Sequence, residues 1–206
     1  MDTDQNNIDT VIFDIGRVLV DFYPEDHLRS LGMDEEAVKK LMRIVFGEDW
    51  SAYDRGDYPT MAALKAAVIK KHPADEALVR RVLRPELVRI HVLRPDVGAY
   101  LAELKARGCR VYLLSNIANE SFAYVRQFPF FSLVDGGVFS FRERVCKPDA
   151  RIYRILLDRF GLSPARCVML DDNPANIATA QKLGVRGVLF TTLSEARAQT
   201  EALLQA

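Results

Sequence analysis

The sequence predicts an α/β fold: a parallel sheet covered by helices on both faces and interrupted early by an all-helical insertion. Three observations carry that expectation. Short apolar runs rich in β-branched residues alternate with helical stretches from about residue 95 onward, as right-handed crossovers require. No convincing strand pattern occurs between Pro24 and about residue 92. The apolar runs end in polar residues, which in an open parallel sheet would line one rim.

Composition is consistent with such a fold. The chain has 206 residues, 49% hydrophobic and 27% charged, with 28 basic residues balancing 28 acidic ones. This is the profile of an ordinary globular protein, and the balance gives no reason to expect nucleic-acid or membrane partners. No segment approaches a bilayer-spanning length. Met1 to Asn7 is polar and acidic, without the basic and apolar regions of a secretory signal. Cys109, Cys146 and Cys167 are odd in number and lack metal-like spacing, which argues against a disulfide framework and against zinc. The expected setting is a reducing cytoplasm, with a small-molecule substrate and a monomer or homodimer.

The first strand is expected at Thr10 to Asp14, followed by a short extended stretch, Arg17 to Asp21, that could fold back as a hairpin flap. Pro24 opens helical territory. Asp34 caps a helix that Gly47 stops, and Thr60 to Lys71 and Ala74 to Ile90 continue the character. Helix Pro95 to Arg107 ends at Gly108. Strands are then expected at Arg110 to Ser115, Gly137 to Ser140, Cys167 to Asp171 and Arg186 to Phe190. Helices are expected near Asn119 to Gln127, Asp149 to Phe160, Pro174 to Leu183 and from Ser194.

The strand ends suit phosphate chemistry. Asp14 ends the first strand, Ser115 and Asn116 the next, Lys147 lies in the loop Val145 to Asp149, and Asp171 and Asp172 end another. A carboxylate attacking a phosphorus surrounded by anionic oxygens needs positive charge nearby. Lys147 and a magnesium ion would supply it, the ion taking Asp14, Asp172 and a backbone carbonyl as oxygen ligands. The Ser115 hydroxyl and adjacent amides would hold the other phosphoryl oxygens. Each residue also has a structural reading: a helix cap at Ser115 and Asn116, a solvated lysine at 147, a capping turn at Asp171 to Pro174. Order, spacing and strand-end placement together favour the site.

With these four segments the chain resembles the haloacid dehalogenase superfamily of hydrolases, in the branch whose first motif is Phe-Asp-x-Gly-x-Val-Leu. Here that motif is Phe13-Asp14-Ile15-Gly16-Arg17-Val18-Leu19; Leu113 to Asn116, Cys146 to Tyr153 and Val168 to Asn176 are similar to the second, third and fourth motifs. The resemblance implies a Rossmann-like three-layer core made of residues 1–21 and 93–206, under a mobile helical cap, residues 22–92. It also implies a phosphoaspartyl intermediate on Asp14, with Ser115 and Lys147 binding the phosphoryl group. Magnesium would be held by Asp14, Asp172 and the Gly16 carbonyl, with Asp171 and Asn176 beside it and Asn116 as a further phosphate or substrate contact. The expected activity is magnesium-dependent hydrolysis of small phosphomonoesters, sugar phosphates foremost.

One departure stands out. Many relatives carry an acidic residue two places after the nucleophile, where it protonates the leaving oxygen; this chain has Gly16. The candidates for that role are a metal-bound water, a cap residue or a leaving group that needs no proton, with Asp21 a weaker substitute. In the cap, Trp50, Tyr53, Asp54, Arg55 and Asp57 form the densest polar and aromatic cluster, with the two rings at core-like helical spacing. Arg144 stands where relatives often have a small residue, and reads as a loop arginine or a phosphate contact. Cys146, beside Lys147, reads as a passive cysteine or a thiol of lowered pKa. His27, His72 and His91 are scattered and take no role. The glycine also suits a metal-independent 2-haloacid dehalogenase, because halide leaves unprotonated, but the pair Asp171 and Asp172 would then lack a counter-cation. A catalytically weak binding or regulatory module is the remaining alternative.

Overall fold

The computed structural model describes residues 7–205; Met1 to Asn6, most of the polar start noted above, lie outside them. The expected three-layer α/β fold is present. Strand β1 (Thr10–Phe13) is buried at all positions, and a tight turn follows in which Val18, Leu19 and Val20 all donate to the Ile15 carbonyl. The next strand, β2 (Val20–Asp21), departs from the expected flap. It pairs antiparallel with β3 (Val92–Leu93), matching Val20 to Leu93 and Asp21 to Val92. A two-residue ribbon therefore ties together the two ends of the insertion.

Between them lie α1 (Pro24–Ser30), α2 (Glu35–Ile44), α3 (Glu48–Asp54), α4 (Met61–Lys71) and α5 (Glu76–Val82). Asp34 and Thr60 cap α2 and α4 by accepting from Ala37 N and Ala63 N. The expected helix over 74–90 is broken. Pro85 has no N–H to give and forces Arg84 to be extended, so the remainder, Pro85–Ile90, is a separate 3-10 segment. The insertion has its own core, built on Leu28, Leu41, Trp50, Tyr53, Leu64 and Val79, to which the main body contributes Ala118.

The rest of the chain builds the sheet: α6 (Pro95–Ala106), β4 (Arg110–Ser115), α7 (Asn119–Val125), β5 (Gly136–Phe139), α8 (Ser140–Glu143), α9 (Ala150–Phe160), β6 (Cys167–Asp171), α10 (Pro174–Lys182), β7 (Arg186–Leu189) and α11 (Leu193–Leu204). Strand order is β5-β4-β1-β6-β7, with every pairing parallel. Alternate residues take opposite faces. Val11, Phe13, Leu113 and Leu170 pack with α6, α7 and α11, while Ile12, Leu114 and Met169 pack with α9 and α10. The chain grows outward from β1 to β4 and β5, then crosses back to β6 and β7. The direction of winding thus reverses at β1, which opens a crevice at its carboxyl end.

Because the insertion buries Leu41 completely within a core largely its own, Leu41→Ala is expected to cost about 2–5 kcal/mol. A denaturant titration read at Trp50 measures this, and an unchanged midpoint would contradict a packed insertion.

Candidate active site

Asp14 follows β1 directly, and its N–H donates to Leu170 O of β6 at 3.0 Å. Parallel register then brings Asp14 beside the ends of β4 and β6, where Ser115 and Asp171 stand. The carboxylates of Asp14, Asp171 and Asp172 each offer an oxygen within 4.8 Å of the others. One buried cation holds two of them. Lys147 Nζ lies 2.9 Å from Asp14 Oδ1 and 2.6 Å from Asp171 Oδ2, and its side chain is 1% exposed.

The other partners distinguish the two adjacent aspartates. Asp171 Oδ1 accepts from Asn173 N at 2.9 Å and from Asn176 Nδ2 at 2.8 Å, so both of its oxygens are committed. Asp172 is paired instead with the Arg17 guanidinium, 3.4 Å away and largely exposed. Sequence reasoning missed that contact. It depends on Arg17 adopting a left-handed backbone (φ 59°), and its guanidinium also lies over the Tyr23 ring at 5.6 Å. The bridge between Gly16 and Val20 uses Ile15 O and Arg17 N, which leaves the Gly16 carbonyl without a donor among the described residues.

Ser115 is buried, and its hydroxyl has only a long 3.5 Å contact to Asn116 O, weaker than an ordinary O–H···O bond. Asn116 differs from the expected phosphate contact. Its Oδ1 accepts from Lys147 N at 2.8 Å and its Nδ2 donates to Lys147 O at 2.9 Å. Both ends of the amide clasp the lysine's main chain, so this side chain positions Lys147.

Burial pushes the Asp14 carboxyl up, against the lowering pull of Lys147 and with Asp171 and Asp172 raising it further, to about 7. Asp172 is raised by burial and by Asp171, with Arg17 and Lys147 opposing. Desolvation pulls Lys147 down, but Asp14 and Asp171 outweigh it and its pKa lies above the ordinary lysine value. The site is short of positive charge. A second sign is Asn176 Oδ1, a buried acceptor without a donor, while Nδ2 is fixed in orientation by Asp171. A hard, hydrated divalent cation matches this donor set: carboxylate, carbonyl and amide oxygens with no sulfur or imidazole. The residues therefore fit magnesium.

Other expected candidates fall elsewhere. Asp21 lies in the β2–β3 ribbon and pairs with Arg94 at 3.8 Å. Trp50 and Tyr53 belong to the core of the insertion. Arg55 pairs with Asp57, and Arg144 reaches the Gly56 carbonyl instead of the strand ends. The Cys146 thiol is pushed up to about 11 by burial and by the field of Asp54, which makes it passive. His91 is buried against Phe22 with Nδ1 on Val88 O, His27 is on α1 and His72 ends α4. Asp54 alone of its cluster approaches the rim. Burial raises its carboxyl to about 8, an Ala118 N–H lowers it, and the charge of Asp14 raises it again.

A doubly wound sheet that places an aspartate, a serine, a lysine and an acidic pair at one switch point defines a hydrolase of the phosphatase and dehalogenase type. The family profile of haloacid dehalogenase-like hydrolases matches residues 8–184, and the chain belongs to that family. A sesquiterpene phosphatase of Aspergillus oryzae is 27% identical over 187 residues, covering 87% of this chain and 88% of the relative. An enzyme of this family from Bacteroides thetaiotaomicron, in complex with magnesium and inorganic phosphate, superposes with a TM-score of 0.70 at 17% identity, covering 91% and 98% of the two chains. L-2-haloacid dehalogenase from Xanthobacter autotrophicus does so at 0.63 and 19%, covering 97% and 83%. These two likenesses establish a common fold. Among the described residues no helix is long and apolar enough to cross a membrane.

Two expected outcomes follow from the charges. Lys147→Met strands two buried carboxylates, and is expected to destabilise the metal-free protein by about 3–5 kcal/mol; denaturant melts in chelator measure it, and an Asp171→Asn background should shrink the loss. The second concerns pH. Asp14 and Asp54 titrate near 7 and 8, above the 3.8 of a free aspartate, so their stabilisation is complete below that lower value and is lost as pH rises through 7 and 8. The lowered His27 and His91 act oppositely, but only below 6.5. The metal-free melting temperature should therefore fall between about pH 6.5 and 8, by up to about 1.4 kcal/mol per pH unit per group, and level off above about pH 8, and magnesium should flatten the slope. A metal-free melting temperature that rises over this range would contradict the charge assignment.

Proposed function

We propose that the chain is a magnesium-dependent phosphatase of small phosphomonoesters working through a phosphoaspartyl intermediate on Asp14. The observation that carries this reading is the charge of the site: three carboxylates around one buried ammonium. An incoming phosphate would add to that negative charge unless a second cation joined it. The dehalogenase fold neighbour keeps the other chemistry in view, but a site for a haloacid has no need of this excess of carboxylates.

In this reading Asp14, Asp172 and the Gly16 carbonyl hold magnesium, which when bound neutralises charge on the phosphoryl oxygens. The carboxylate of Asp14 attacks phosphorus, a bond to Asp14 forms and the bond to the leaving oxygen breaks; water then releases phosphate and restores the carboxylate. Lys147 Nζ and the nearly unengaged Ser115 hydroxyl hold the phosphoryl oxygens. Asn116 fixes Lys147 through its main chain. Asp171 aims the ammonium and orients Asn176 through its amide nitrogen.

The helices over 22–92 act as the cap, and the helical packing of that segment above the rim supports the division at the β2–β3 ribbon. A cavity of about 240 Å³ opens beside Arg17 and is lined by Phe22, Tyr23, Glu25, Asp26 and Met42. Its carboxylates can accept hydroxyl groups and its tyrosine offers a ring face, which supports sugar phosphates as the leading class.

Phosphate release from an activated aryl phosphate, with and without magnesium, tests the reading. The wild-type protein is expected to require magnesium, and Asp14→Asn to lose on the order of 10³-fold or more. Release that survives Asp14→Asn, or that ignores chelator, would overturn it.

A further inference from the structure

Gly16 leaves the leaving oxygen without a proton donor from the first loop. Its backbone does not demand glycine, since its φ lies outside the left-handed region and a Cβ there would meet nothing within 4 Å. The space in which an acidic side chain would stand is open. The question is what faces it.

One carboxyl of the insertion comes near the same rim. Asp54 ends α3 and is anchored at two points to the loop after β4. Its carbonyl accepts from Ser140 Oγ at 2.5 Å, and the same hydroxyl accepts from Ile117 N at 2.9 Å. Its side chain accepts from the Ala118 N–H. That loop begins at Ser115, so Asp54 is held over the phosphate side of the rim, close enough for its charge and that of Asp14 to repel. Unlike Arg55 and Asp57, which pair with each other, Asp54 has no cationic partner among the described residues. The facing groups are Asp14, the Cys146 thiol and the Ala118 amide, and none of them supplies a positive charge. A half-buried carboxyl with such neighbours is held well above the ordinary aspartate range.

Resting on the phosphatase reading, we infer that Asp54 is the catalytic acid and base of this enzyme, supplied by the insertion in place of the residue missing at Gly16. As Asp14 attacks phosphorus and the bond to the leaving oxygen breaks, that oxygen takes the proton of Asp54 and departs as an alcohol. The Asp54 carboxylate then takes a proton from the water that attacks the phosphoaspartate. Inorganic phosphate leaves, Asp14 returns as carboxylate and Asp54 is again protonated. Catalysis thereby requires the insertion to be seated on the core. The contacts that seat it include Tyr53 OH to Glu120 at 2.7 Å, Met61 N to the same carboxylate, Ser140 to Asp54, and Arg144 to the Gly56 carbonyl.

First-turnover kinetics test the inference, using an activated aryl phosphate, which needs little protonation, beside an alkyl or sugar phosphate, which needs it fully. For Asp54→Asn the aryl burst is expected within about tenfold of wild type, followed by slow steady turnover as phosphoenzyme accumulates. The alkyl ester should lose about 10²–10⁴-fold in the first turnover itself. Equal slowing of both first turnovers would overturn the inference, because a misplaced cap does not discriminate between leaving groups. Gly16→Asp in the Asp54→Asn protein should restore the alkyl ester at least about tenfold, and a double variant no faster than the single one would refute a shared role for the two positions. A wild-type protein that releases no aryl alcohol with magnesium sinks the phosphatase reading, and the inference with it. A wild-type burst with unsplit leaving groups sinks the inference alone.

Discussion

The site depends on one ammonium group placed between two strand ends. Parallel pairing of β1 with β6 leaves Asp14 and Asp171 side by side, and burial deprives both of water. Neither could be ionised there alone without a penalty of several kcal/mol. Lys147 reaches both, but it arrives on a loop with no strand of its own to set its depth. The two hydrogen bonds from Asn116 set it, carrying the position of β4 across to the lysine. Three strands thus converge on one charge, and the polar rim is a single electrostatic unit.

That unit is incompletely neutralised, which accounts for several features at once. Asp14 and Asp172 are raised, Arg17 adopts a left-handed backbone beside Asp172, and Asn176 keeps an unpaired oxygen. Each would be a defect in a storage or scaffold protein, where buried polar groups find partners. In the proposed phosphatase they would be the sockets for a divalent cation and a phosphate. The insertion extends the same logic, because Asp54 adds a carboxyl where negative charge is already in excess, and the protonated form is the one that can stay.

Much of this was legible in the sequence, for identifiable reasons. A strand buried on both faces reads as an unbroken apolar run, so its first polar residue marks the rim; Asp14, Ser115 and Asp171 were found that way. Lys147 and Asp172 followed from the motifs beside them. What escaped depends on partners that spacing does not reveal. Asn116 had the right residue type for a ligand, but its amide turns toward a main chain 31 positions away. The β2–β3 ribbon has two residues per strand, too few for a period to register. Helix α3 is short and lacks a side-chain cap, so Asp54 read as one acid among several. Cys146 sits beside a lysine, but that lysine's charge is directed at Asp14 and Asp171 while burial and Asp54 govern the thiol, which stays the passive cysteine favoured by its sequence context.

Moving the acid from the first loop to the insertion would change what the fold can do with water. An acid at position 16 belongs to the core and remains beside Asp14 whatever the insertion does. An acid at 54 reaches the leaving oxygen only when α3 is seated, and the seating contacts run through Glu120 of α7, Ser140 of α8 and Arg144 just after it, on the segments that follow β4 and β5 and flank Ser115 and Lys147. Proton delivery, phosphate binding and exclusion of solvent would then be coupled through the same few bonds. A phosphoaspartate formed with the insertion seated would meet its base at once, and one exposed by opening would meet bulk water without it. The protein would gain control over hydrolysis by holding the catalytic proton on the insertion instead of the core.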